Sequence, residues 1–353
     1  MSRVNGSSLK TVRDFFGKNQ SYMAKQMEVS QPTLSKIERG EKPLAREQVE
    51  IFSEYFNENF FYNTIDTANP KLFYRKLSSV NKSTIYLFES RINLINNMIS
   101  RALEIVDLKT EGQKLPQIDP EIFNLDFEYI ATEVRLQLGV GRGPVNNLIA
   151  VLEAAGVIVH FFDYDFITEE NRKFDGVSFY ADGVPVIMIN KKIPNSRKMF
   201  TIAHEVAHLV MHFDSVINLE RDIEKEANHF AAAFLAPAKD IKSELRQLTT
   251  DKLERLKVEW NMSLSALVYR AFTLGTIGEQ SLRTWMMRLA PFRKKEPHEF
   301  EILQPSLIKD LINTLKLETD NNFFIDIGYN QALVEELFYT ELERRKTILR
   351  IVR

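Results

Sequence analysis

The stretch FTIAHEVAHLVMH, residues 200–212, constrains this chain more than any other. His204 and His208 are four residues apart with Glu205 beside the first. At 3.6 residues per turn, a helix stacks the two imidazoles on one face, one turn apart. The fold must therefore keep a helix here and leave that face open to whatever the imidazoles grip. A catalytic zinc takes three protein ligands and keeps one position for water. The two histidines supply two of the three, and Glu205 then stands beside the water, where it can take a proton as general base. The competing reading is a pair of partly buried histidines that satisfy carbonyl groups. With only six histidines in 353 residues, a chance His-Glu-x-x-His match is rare. His212 extends the series to i+8. Eight residues at 1.5 Å rise span about 12 Å, too far to share one ion whose ligands sit at about 2.1 Å. It is read as a supporting or structural residue.

The chain has no cysteine, which removes disulfides, thiolate sites and cysteine nucleophiles and leaves His, Asp and Glu to hold a metal. RDIEKEANHFAAAFLAP (221–237) is the candidate source of the third ligand. In a helix, Glu224, Ala227, Asn228 and Ala231 share one face, and the two alanines permit close approach to the histidine helix. Glu226 falls on the neighbouring face with His229 and Phe230. Glu224 is the preferred ligand, with Glu226 left open as the alternative. Upstream, VIMIN (186–190) reads as a strand expected to form a sheet edge beside the cleft, to which an extended peptide could add.

A second motif lies near the start. QSYMAKQMEVSQPTLSKIERG (20–40) has the layout of two short helices joined by a tight turn. Ala24 is small where the helices must meet, Val29 packs the turn, and Leu34 and Ile37 are apolar at spacing three. Gln31, Pro32, Thr33, Ser35 and Lys36 are left facing outward, able to meet bases and phosphates, and Gln20 opens the first helix where phosphate contacts are common. Residues 1–40 hold seven Lys or Arg against three Asp or Glu in a chain of net charge −2, so any nucleic-acid affinity is local. The bland alternative is an ordinary helical hairpin.

Four segments emerge: a small all-helical domain over 1–62, a helical spine over 63–120, a mixed domain over 121–290 and a region of unassigned role over 291–353. Phe88, Ile92, Ile95, Ile99, Ala102 and Val106 form one stripe of a long amphipathic helix, a spine between domains or a dimer seam. KTEGQKLPQIDP (109–120) reads as a linker. RGPVNNLIAVLEAAG reads as a helix with Pro144 in its first turn. GVIVHFF, GVSFYAD and VPVIMIN read as strands of a small antiparallel sheet, and NNFFIDIGY as a further strand. GVGRGP (139–144) lacks the residues of a phosphate loop and is read as a loop before a helix. RKK (293–295) is read as a solvated surface run. There is no signal-peptide pattern and no apolar run of about 18 residues, so a cytoplasmic protein with no membrane contact is expected.

VSQPTLSKIERG resembles the recognition helix and following turn of the XRE family of helix-turn-helix regulators, over residues 9 to about 57. The run from GVPVIMIN through RKMFTIAHEVAHLVMH to EKEANHFAAAFLAP resembles the ImmA/IrrE family of zinc metallopeptidases, over roughly 128–290. Lys198 and Ala236 depart from that family's usual residues, at positions that touch packing more than chemistry. The resemblance implies an all-α helix-turn-helix domain followed by an α+β zincin-like domain with a small sheet and a helical C-terminal region. It implies Zn2+ held by His204, His208 and Glu224, with Glu205 as base. It also implies cleavage of a repressor-like regulatory protein. The expected whole is a DNA-binding regulator, a homodimer on a double-stranded operator, that cuts a regulatory protein in trans or cuts itself. The alternatives are a transcription factor whose metal domain only senses a signal, or an antitoxin-like interaction protein.

Overall fold

The computed structural model describes residues 6–62, 82–108, 114–163, 175–213, 220–292, 296–338 and 349–351. The run RKK at 293–295 and the segment 63–81 lie outside them. Five short helices open the chain: α1 (Gly6–Phe15), α2 (Gln20–Gln26), α3 (Gln31–Glu38), α4 (Arg46–Glu50) and α5 (Glu58–Tyr62). Local chemistry sets their starts. The Asn19 side chain accepts from the Tyr22 N–H to cap α2, and Ser30 accepts from the Thr33 N–H to cap α3, with Pro32 in the first turn. Between the two helices Glu28 takes a left-handed conformation, φ +52°. Ala24, Leu34 and Ile37 are buried, which completes a helix-turn-helix.

The long helix α6 (Lys82–Leu103) leads into the short strand β1 (Val106–Leu108). Phe88, Ile92, Ile95, Ile99 and Ala102 form its apolar stripe and are all fully buried. Val106, expected on the same helix, starts β1 instead. The stripe is consumed within the chain, against α1 and a sheet strand, so it does not serve as a dimer seam. Its Arg91 is buried, donating to the Phe15 carbonyl at 2.9 Å and to Glu336 at 2.5 Å.

Next come α7 (Phe127–Gln137), α8 (Leu148–Ala154), β2 (Ile158–Phe162), β3 (Gly176–Ala181) and β4 (Val184–Asn190). α8 starts four residues after Pro144, not around it. The buried Arg135 guanidinium takes the Gly141 and Gly143 carbonyls, and Asp240 takes the Gly143 N–H at 3.0 Å. These bonds hold 141–143 as a loop, and Asn147, at φ +53°, turns the chain into the helix. Residues 114–120, expected as linker, lie along the next helix, with the Ile118 N–H bonded to the Val210 carbonyl.

The sheet has the order β2-β4-β3. β3 and β4 form an antiparallel hairpin through Asp182-Gly183, both at positive φ, while β2 pairs parallel to β4. The sheet is therefore mixed, not antiparallel, and VIMIN lies in its centre. The edge is β3. VPVIMIN is apolar on both faces because both are covered: Val186 and Met188 enter one core, Ile187 and Ile189 the other.

Among the described residues, nine α-helices follow the sheet before a final strand. They are α9 (Asn195–Met211), α10 (Ile223–Leu235), α11 (Ala238–Ile241), α12 (Thr250–Trp260), α13 (Leu264–Thr273), α14 (Glu279–Leu289), α15 (Leu307–Glu318), α16 (Phe323–Asp326) and α17 (Gln331–Phe338), and β5 (Leu349–Ile351) completes the described chain. NNFFIDIGY is thus a helical turn with one isolated bridge from Tyr329 to Phe56, rather than a strand. Phe323 and Phe324 are both buried and Ile325 and Asp326 both exposed, a pattern no alternating strand allows.

The two cores share the sheet as a common wall. One packs α7–α14 on the face that carries Val159, Ile187 and Ile189. The other joins the helix-turn-helix, α6 and α15–α17 to the opposite face. Tyr329 locks this second core: Asn97 donates to its hydroxyl at 3.0 Å, and that hydroxyl donates to the Leu94 carbonyl at 2.8 Å.

Candidate metal centre

Helix α9 lies against the sheet on one side and α10 on the other. Its helical spacing stacks His204 on His208, and their Nε2 atoms are 3.1 Å apart. α10 brings Glu224 across: its Oε2 lies 3.5 Å from His204 Nε2 and its Oε1 3.5 Å from His208 Nε2. Ligands at about 2.1 Å in a tetrahedron are separated by about 3.4 Å. The two nitrogens and the carboxylate thus have the mutual spacing of a metal's ligands, and the three residues form the one cluster of potential ligands among the described residues.

Hydrogen bonds fix which nitrogen is bare. The Asn228 amide oxygen, one turn beyond Glu224, can only accept, so His204 Nδ1 donates to it at 3.1 Å and leaves Nε2 unprotonated. His208 reaches the same state through a longer chain. Arg221 grips Glu226 with two nitrogens at 2.9 and 2.6 Å, so Glu226 is a carboxylate and accepts from His212 Nε2 at 3.1 Å. His212 Nδ1 must then accept, and His208 Nδ1 donates to it at 2.9 Å. His208 Nε2 is left bare, facing His204 and Glu224. The donor set fits a divalent ion such as zinc. Glu226 meets His212 and Arg221, one imidazole away from the cluster.

The electrostatics agree with that geometry. Burial works against an ionised Glu224, yet the neighbouring His204 and His208 imidazoles hold its carboxyl well below the usual range. Burial pushes His208 down, and pushes His212 down to about 4. His204 is raised: burial opposes this, but Glu224 and the nearby Glu205 charge outweigh it. Glu205 points to the sheet, where Ser178 of β3 donates to its Oε2 at 2.7 Å. Burial raises Glu205 to about 7, against the pull of His204 and Ser178. A carboxyl poised there both takes and gives a proton near neutral pH.

Of the residues expected at the site, His204, His208 and Glu224 come together, with Glu205 on the next position of α9. Ser178, Arg221 and Asn228 carry roles that the residue pattern did not assign. One signal was present: His208 and His212 repeat the four-residue spacing, so a shared face was readable.

On the helix-turn-helix, Gln31, Pro32 and Lys36 of α3 are exposed, while Thr33 and Ser35 are half-buried. Gln20 does not stand free. It donates to Glu38 at 2.7 Å and accepts from Gln31 at 3.3 Å, while Glu38 is paired with Arg13 at 2.6 Å. Gln20 therefore braces Gln31 at the head of α3.

Residues 9–63 match the family model of the helix-turn-helix, and residues 153–272 match that of the IrrE N-terminal-like domain. No curated protein matches the chain.

Proposed function

We propose, for a chain that joins an XRE-type helix-turn-helix domain to an ImmA/IrrE-like metallopeptidase domain, that it is a DNA-binding regulator and a zinc-dependent endopeptidase that cuts a repressor-like regulatory protein, in trans or in itself. The observation that carries the hydrolytic reading is the trio His204, His208 and Glu224 beside a buried Glu205 tied to the sheet. A divalent ion bound there supplies Lewis-acid polarisation of a carbonyl and acidifies a water. Glu205 takes the proton from the water as its oxygen attacks the carbonyl carbon. It then delivers that proton to the departing amine nitrogen as the C–N bond breaks. Ser178 holds one carboxylate oxygen, which leaves the other for that traffic. Asn228 and the chain through His212 hold the imidazoles in their donor orientation throughout.

Gln31, Pro32, Thr33, Ser35 and Lys36 meet the operator in this reading, with Gln20 bracing the first of them. A homodimer spans two half-sites about 34 Å apart. The test is Glu205→Gln in the full chain. It keeps zinc and operator binding but loses cleavage of the repressor-like substrate, or of the chain itself, that the parent cuts. Full cleavage by this variant would refute the role of Glu205.

A second reading has its own support. The core under the helix-turn-helix and the core under the metal cluster lie on opposite faces of one sheet, which suits a domain that senses metal or ligand without proteolysis. Operator affinity that responds to His204→Ala and ignores Glu205→Gln would favour it. Among the described residues no helix is long and apolar enough to cross a membrane.

A further inference from the structure

A cavity of about 450 Å3 reaches Asn228, the residue that supports His204 of the metal cluster. Asn228 serves both, lining the cavity while accepting from His204. Phe200 and Arg197 lie one and two turns before His204 on α9, so the cavity continues along the ligand-bearing face toward the start of that helix. α13 and α14 close it with Ala266, Tyr269 and Met286. Its two charged residues are already matched: Arg197 is paired with Asp175, and Glu296 with Lys257 at 2.7 Å and the Leu264 N–H at 3.1 Å. An ionic occupant would find no unpaired opposite charge, whereas an apolar one meets an aromatic and thioether wall. The smaller cavities, of about 240 and 260 Å3, are lined by neither metal-cluster residues nor Asn228.

We propose that this cavity is the specificity pocket of the peptidase, taking an uncharged, bulky apolar side chain of the peptide next to the bond that is cut. The proposal rests on the hydrolytic reading above. It names what that site selects. Phe200 and Tyr269 supply the apolar walls, and Met286 is the adaptable side of the pocket.

Zinc-binding hydroxamates carrying different side chains test the pocket without requiring a substrate. Acetohydroxamate, 3-phenylpropanohydroxamate and 3-carboxypropanohydroxamate are titrated calorimetrically into the zinc-loaded full chain. The phenyl compound binds roughly 10- to 100-fold tighter than acetohydroxamate, the gain expected from burying one large apolar group. The carboxy compound gains nothing. Ala266→Trp, which fills the pocket, removes the phenyl preference and leaves acetohydroxamate affinity unchanged. Met286→Ala, which takes away a half-buried wall, reduces the preference severalfold and guards against misfolding of the Trp variant. Equal binding of all three compounds, or a preference that survives both substitutions, overturns the pocket and leaves the metal centre standing. Failure of acetohydroxamate to bind the zinc-loaded chain overturns the open coordination position that catalysis needs, and the pocket with it. A phenyl preference in a chain that cuts no protein supports an apolar pocket and sinks the hydrolytic reading.

Discussion

Glu224 and Glu226 are two residues apart on one helix, and exchanging each for glutamine separates a ligand from a support. Glu224 places an oxygen 3.5 Å from each bare imidazole nitrogen. Glu226 touches His212 and Arg221 and reaches His208 only through His212. Glu226→Gln keeps an amide oxygen to accept from His212 and keeps one partner for Arg221, so the relay persists with its charge removed. Supports of this kind change metal affinity by about 10- to 100-fold, or about 1.4–2.7 kcal/mol. Glu224→Gln takes one of three protein ligands and the only negative one. If roughly 10–16 kcal/mol of zinc binding is shared among four ligands, one ligand contributes on the order of 3 kcal/mol, over 100-fold in affinity. Alanine at 226 is the less informative change. It leaves the nearly buried Arg221 with Glu121 alone and takes the carboxylate from the buried His212, and breaking a buried pair costs about 3–5 kcal/mol of stability. The assay is competition for zinc against a chromophoric chelator, on variants whose circular dichroism matches the parent. A Glu226→Gln chain that no longer holds zinc, beside a Glu224→Gln chain with parental affinity, would refute the assignment of the two carboxylates.

Three further outcomes are expected. His160, buried on β2 with Nε2 donating to the Leu337 carbonyl, is pushed by burial from 6.5 down to about 4. Its contribution is full above pH 6.5 and drains away as pH falls toward 4, because the unfolded chain takes up a proton that the folded chain refuses. About 1.4 kcal/mol per unit gives about 3 kcal/mol over that window. His212 titrates in the same range, so the measurement is the difference in denaturant stability between the parent and His160→Gln at pH 7 and pH 4; an identical loss in both would exclude His160. A methyl group on Gly176 would fall 2.8 Å from Thr201 Cγ2 and 3.0 Å from Glu205 Oε1, so Gly176→Ala slows cleavage at least tenfold while zinc content stays at one per chain, and undiminished turnover would argue against Glu205 as base. Lys36→Ala weakens operator and random DNA alike and lowers the slope of log affinity on log salt by about 1; an unchanged slope removes Lys36 from the phosphate contacts.

How much of this was legible depends on the range of the interaction. Spacing along a helix is local, so the face shared by His204 and His208, the face carrying Glu224 and Asn228, and the outward residues of α3 follow from 3.6 residues per turn and from caps such as Ser30 and Asn19. The start of α8 was not readable, because Asp240, remote in sequence, acts with Arg135 of the preceding helix to decide where the Pro144 loop ends. The strand at 184–190 was misplaced at an edge, although a run apolar on both faces belongs in the middle of a sheet. Strand order is a contact between distant segments, and alternation alone does not encode which neighbour is taken. The same holds for the last third of the chain: Phe323, Phe324 and Tyr329 read as a strand until α5 and α6 supplied their packing partners. Residue order by itself determined the two helical devices, one with an outward polar face and one with paired imidazoles. Only tertiary packing decided that both rest on opposite faces of a single sheet, and that Glu226 turns toward Arg221 and His212. A side chain's partner is set by what the fold brings within about 3 Å, and the sequence states that only for residues within a turn or two of each other.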